Sequence, residues 1–213
     1  MIYYRPTDGD AHSTPLRYRP CTCFLMTQLG EPVPETVRQI RADLTGILQN
    51  HGFEVVDANS VVTGRDFLIK IWEIITTVPI GIAIVHDEMR PGTLANIFYE
   101  LGLMQAYGKE TLVIKTSNAV VPSDLIRTEY VVYGPAFETN LLRFLHSLQE
   151  RASYYAQVAH LLENNPLLAI DYLRRSYLLT GEEELKETAR RFYLEAGLDA
   201  RARNSVETLL ASF

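Results

Sequence analysis

The residues with the most obvious chemical capacity stand in the segment 95–109, ANIFYELGLMQAYGK, where Asn96 and Glu100 are four positions apart. Four positions make about one helical turn, so the two polar side chains share a face beside an apolar stripe of Leu94, Ile97, Phe98 and Leu101. Both fall in the first turns of that helix. A carboxylate there leans back toward the helix N-terminus and toward the polar loop HDEMRPGT that precedes it. Set beneath the anomeric carbon of a ribose, one carboxylate can stabilise the oxocarbenium-like transition state of N-glycosidic cleavage, or attack as a nucleophile. The other reading of the same residues is that Glu100 complements the positive end of the helix dipole or pairs with a lysine.

The elements that must position Glu100 follow from hydrophobic period and breakers. CTCFLM, 21–26, reads as a buried strand, and the turn from Pro32 to Pro34 opens a helix with Val37, Ile40, Leu44, Ile47 and Leu48 on one side, ended by His51 and Gly52. A short strand, 53–56, and a helix from about Asp66 to Thr77, with Phe67 on its apolar face, come next. PIGIAIV, 79–85, is apolar on both faces, as an internal parallel strand should be. The Glu100 helix stops at Gly108; strands at 112–114 and 129–133 and a closing helix from Phe137 to about Ala152 complete the series. Strand and helix alternate five times, which predicts an α/β fold: a five-stranded parallel flavodoxin-like sheet in the order 2-1-3-4-5, with helices on both faces. Ligands in such sheets bind beyond the carboxyl ends of the strands, at the switch between strands 1 and 3. That rule selects the loops starting at Thr27, Asp57, His86 and Lys115 as the rim of a pocket.

Three regions are expected: an arm over 1–19, the sheet domain over 20–152 and a helical region over 153–213. The last contains NPLLAIDYLRRSYLLTG, which has the look of one tetratricopeptide-type hairpin. A single copy with no second at a fixed period favours the plainer reading, a helical tail packed on the sheet domain or on a second subunit.

Four segments carry a resemblance. CFLMTQLG after the first strand, IWEII before the third, ANIFYELGLMQAYGK on the following helix and PSDLIRTEYVVYG before the last helix together resemble a bacterial group of TIR-like proteins related to nucleoside 2-deoxyribosyltransferases. That group reads approximately CFVMMPFG, W-x-x-I, NPNVFYELGIAHALGK and PFDLR, and the resemblance covers about residues 21–150. It implies a domain that binds a nucleoside, nucleotide or NAD, as substrate or ligand rather than as cofactor. It implies N-glycosidic cleavage or transfer with Glu100 catalytic, Asn96 beside it and Asp124 at the pocket's edge. Members are associated with bacterial defence and some oligomerise, so a homo-oligomer is expected. Trp72 matches the family Trp and either stacks on a base or belongs to the core. Thr27 and Gln28 stand where the group has Met-Pro, at the phosphate or base contacts. His86 and Asp87 replace a family Asp; either could bind ribose hydroxyls, and His86 could protonate a leaving base or be a surface histidine. Gln105 stands where the group has His.

The bulk numbers limit the alternatives. The 213 residues are 47% hydrophobic and 22% charged, values of a folded globular chain. The net charge of −6 argues against nucleic acid as partner. The longest apolar stretch, 78–85, falls short of the roughly 20 residues of a membrane span. Cys21 and Cys23 have no second ligand pair, so no metal is expected. The first 20 residues hold no continuous apolar run, and a reducing cytoplasm is the expected location. Two other functions fit the same fold. One is a nucleotide-sensing module; the other is a phosphoacceptor receiver, which would want an acidic cluster where Thr27 and Gln28 stand.

Overall fold

The computed structural model describes residues 9, 16–59, 67–122, 125, 130–162, 164–211 and 213. In chain order its elements are β1 (Thr22–Met26), α1 (Glu35–Asn50), β2 (Glu54–Val56), α2 (Phe67–Thr77), β3 (Ile80–Val85), α3 (Pro91–Ala106), β4 (Glu110–Lys115), β5 (Tyr130–Val132), α4 (Phe137–Leu161), α5 (Pro166–Thr180), α6 (Glu183–Glu195) and α7 (Ala200–Leu210). All strand pairings are parallel and the sheet order is β2-β1-β3-β4-β5. The chain is therefore an α/β protein of the expected topology.

β3 explains why the sheet must be covered twice. Its six residues are all buried, Ile80, Ile82 and Ile84 on one side and Gly81, Ala83 and Val85 on the other. A strand dry on both faces has to be internal, with helices above and below. α1 buries Val37, Ile40, Leu44 and Leu48, at steps of three and four. α3 buries Ile97, Leu101 and Met104 and packs on β1, β3 and β4. Gly81 makes that approach close: a Cβ there would stand 2.7 Å from Met104 Cε and 3.0 Å from Met26 Cε. The missing side chain lets Met104 settle on the centre of the sheet, and with it the helix that carries Glu100.

The described chain divides into two compact units, one built on Thr22–Arg143, the other on Pro15–Cys21 together with Phe144–Phe213. The second has its own core, formed by Ile170, Leu173 and Tyr177 of α5, Leu185 and Phe192 of α6 and Val206 of α7. Asn165 caps α5, its Oδ1 accepting the Leu168 N–H, and Gly181 closes it in a left-handed conformation. Residues 16–21 pack with these helices. Arg174 Nη1 donates to Tyr18 Oη at 3.0 Å, and its guanidinium lies 4.8 Å from the Tyr18 ring centroid.

Several boundaries differ from expectation. Cys21 is not a strand residue: its φ is +48° and its N–H donates to Leu178 O at 2.9 Å, so it turns the chain just before β1. β4 extends from Glu110 to Lys115 because the ladder with β3 continues at both ends. α4 runs on to Leu161 rather than stopping near Ala152. Ala152 and Ala159 are both buried, continuing the apolar stripe, and no Gly or Pro interrupts the chain before Pro166. Asp66 and Glu129, the expected starts of α2 and β5, lie outside the described residues, as does the Phe67 side chain. Among the described residues no helix is long and apolar enough to cross a membrane.

Because Ile82 is fully buried at the centre of the sheet, Ile82→Ala is expected to destabilise the protein by about 2–5 kcal/mol. Urea unfolding checks this. A loss below about 1 kcal/mol would contradict the packing described.

Candidate functional site

Beyond the carboxyl end of β1 lies a cavity of about 230 Å³. Its walls are residues 24–31, Ala58 after β2, and the α3 face formed by Arg90, Thr93, Asn96, Ile97 and Glu100. The polar positions on α3 step by three, three and four, so one side of the helix runs along the cavity from its first residue to its third turn. Since β1 lies between β2 and β3, this is the switch point of the sheet, where the chain leaves neighbouring strands in opposite directions and opens a crevice.

Glu100 is partly buried on this wall, and among the described residues no ion pair holds its carboxylate. Burial removes water from the carboxylate without supplying a compensating charge, and pushes its pKa up to about 7. Near neutral pH the group therefore exchanges between acid and carboxylate. A lysine partner would have moved it the other way.

Thr27 and Gln28 also reach the cavity wall. Thr27 is 8% exposed, yet among the described residues its Oγ1 has no hydrogen-bond partner. Gln28 is equally buried; its Nε2 donates to Gly30 O at 3.0 Å and to Pro32 O at 2.7 Å, fixing the loop that forms one side of the cavity. Asn96 lines the cavity one turn before Glu100, with its side chain exposed.

The remaining expected residues lie elsewhere. His86 and Asp87 are absent from the cavity lining. His86 is buried, its Nδ1 accepting the Glu88 N–H at 3.0 Å, and its Nε2 is 3.8 Å from Asp87 Oδ1. Asp87 in turn accepts from Thr116 Oγ1 at 2.7 Å, which holds its carboxyl below the usual range. These groups tie the loop after β3 to the loop after β4. Trp72 is 2% exposed and its indole N–H donates to Tyr107 Oη at 3.0 Å, so its ring is core between α2 and the end of α3 and presents no face to a base. Asp124 lies outside the described residues. Gln105 Nε2 donates to Thr111 Oγ1 at 3.3 Å, linking α3 to β4.

Two charged residues join the cavity that motif reading passed over, Arg90 and Glu31. Arg90 lies on the face of Thr93, Asn96 and Glu100 continued one turn upstream, a spacing visible in the sequence. Glu31 has no such signal, since only the path of the loop brings it there. Among the described residues no group of three His, Cys, Asp or Glu is placed to hold a metal.

No family model and no curated protein matches the chain. Among solved structures, the chain is similar to the Clostridium botulinum CMP N-glycosidase BcmB, at 21% identity over 59% of this chain and 98% of that one, with a TM-score of 0.39. A likeness of that size leaves the chemistry to be argued from the residues present here. They define an α/β protein with a carboxyl-bearing cavity at the switch point of a parallel sheet.

Two outcomes are expected of the site itself. Thr27→Val removes an unpaired buried hydroxyl at constant shape and should stabilise the protein by about 1 kcal/mol, raising Tm by about 2–4 °C; a lower Tm would mean the hydroxyl is paired. For Glu100 the pKa is higher in the folded chain than in the unfolded one. Its contribution is therefore fully present below about pH 4.5 and is lost as pH rises through about 7. Glu100→Gln should accordingly gain stability relative to wild type as pH rises across that window, by on the order of 2 kcal/mol, and equal pH dependence in the two proteins would contradict it.

Proposed function

We propose that the protein is a nucleotide-handling enzyme that cleaves or transfers at an N-glycosidic bond, with Glu100 as the catalytic carboxylate. The observation that carries this reading is the position of Glu100: a carboxyl group partly withdrawn from water, without a counter-ion among the described residues, on the wall of a ligand-sized crevice. As pKa values displaced by burial concentrate at reactive sites, an unpaired carboxyl in a cleft is better explained by reaction than by fold stability.

In the reaction the C1′–N bond breaks and its electron pair leaves with the base. The ionised Glu100 either stabilises the cationic sugar or bonds to C1′, and water or a second acceptor then takes the sugar and gives up a proton. Nicotinamide leaves NAD as a neutral molecule and needs no acid. A purine or pyrimidine departs more readily when protonated. Asn96, one turn before Glu100, is placed to hydrogen-bond a ribose hydroxyl.

The test is chromatography of free base after incubation with NAD, with nucleosides and with nucleoside monophosphates. Wild type should release base from at least one of them, and Glu100→Gln should lower kcat by about 10³-fold or more. Because the carboxylate is the working form, kcat/KM should rise with pH through a midpoint near 7. Activity falling through that midpoint would make Glu100 a general acid. Binding without turnover would assign the cavity to sensing, and equal rates for wild type and Glu100→Gln would end the proposal.

A further inference from the structure

The reaction above leaves one proton without a destination. Water that takes the sugar must shed a proton, and Glu100 cannot collect it while its carboxylate is engaged at C1′. A second base speeds that step by about 10²–10⁴-fold. Among the described residues that line the cavity, Glu31 alone can serve. Thr27, Gln28, Thr93 and Asn96 are neutral, and the Arg90 guanidinium does not give up its proton. His86 and Asp87, the groups that the sequence placed nearby, are absent from the lining and are spent on tying two loops together.

We propose that Glu31 is the general base that activates the water accepting the sugar, facing Glu100 across the cavity. The assignment rests on the N-glycosidic reading above. Glu31 belongs to the loop after β1 and Glu100 to α3, so the two carboxylates stand on two different walls of the crevice. The cavity of about 230 Å³ leaves space for a sugar and for a water, whose share of volume is about 30 Å³. Residue 31 is also held in place. Gln28 Nε2 donates to Gly30 O and to Pro32 O, the carbonyls on either side of it, so one buried amide clamps both of its flanks. Glu31 Oε2 accepts the Val33 N–H at 3.0 Å, which orients the carboxylate. Among the described residues Oε1 has no hydrogen bond, which leaves it for the water. In the step itself an O–H bond of water breaks, its proton passes to Glu31 and its oxygen bonds to C1′. Where Glu100 has bonded to the sugar, that C–O bond breaks and its electron pair returns to the Glu100 carboxylate. Glu31 is exposed, so it hands the proton on to bulk water, from which an anionic leaving base recovers it.

The test is kinetic, on the full chain, with NAD, the four ribonucleosides and their 5′-monophosphates as probes and free base as the readout. On the probe that wild type cleaves, Glu31→Gln should lower kcat by about 10²-fold or more, with KM no higher. Azide is a nucleophile with no proton to lose. It should therefore raise the Glu31→Gln rate by about 10-fold or more, give the glycosyl azide as product and leave Glu100→Gln unrescued. The exposed position should let Glu31→Gln fold, and circular dichroism checks that. A kcat for Glu31→Gln within about 3-fold of wild type, or a loss that azide does not restore, overturns the assignment while base release by wild type keeps the glycosidic reading. No release by wild type from any probe overturns both.

Discussion

Keeping a carboxylate ionised away from water costs free energy, and a folded protein ordinarily avoids that cost by pairing the group or leaving it in solvent. Glu100 does neither. Its carboxyl is half withdrawn into a crevice, no lysine or arginine among the described residues neutralises it, and its pKa rises to about 7. The rest of the sheet unit is arranged so that this unfavourable placement persists. α3 is pinned to the sheet by Ile97, Leu101 and Met104, all on the side opposite to solvent, and a helix so fixed carries position 100 wherever its phase dictates.

That phase is set by the strands. The buried face of α3 meets β1, β3 and β4, and Gly81 leaves the space that Met104 fills. Asn96 and Glu100 are one residue off the buried positions Ile97 and Leu101, and so stand at the border between core and crevice. A helix turned by one position would bury the carboxylate outright or release it to water. The loop after β1 closes the opposite side, held by Gln28 on the carbonyls of Gly30 and Pro32. The proton affinity of Glu100 is thus a consequence of packing: the core decides the depth of the carboxyl, and the depth decides how readily it ionises.

Strand order and the place of the crevice were legible in the sequence because both follow from alternation and handedness, which short-range patterns record. The same holds for Glu100, whose helix phase is readable from Leu94, Ile97 and Leu101. What stayed hidden depends on tertiary contact. Trp72 has the same apolar neighbours in sequence whether it stacks on a base or donates to Tyr107, and only the fold brings Tyr107 to it. The coupling of Asp87 to Thr116 joins residues 29 apart, and no local period announces it. Cys21 looked like strand because its neighbours are apolar, while its left-handed backbone answers to Leu178, far along the chain. The length of α4 was underestimated for a simpler reason: alanines at 152 and 159 carry the stripe with little hydrophobic signal.

The most direct measurement is the titration of the Glu100 carboxyl carbon by NMR in the intact protein, assigned by its loss in Glu100→Gln. A midpoint near 7 that shifts when a nucleotide is added would place the carboxyl in the crevice and in contact with the ligand. A midpoint near the ordinary glutamate value of about 4.3, unmoved by any nucleotide, would mean that the side chain is solvated and takes no part in chemistry.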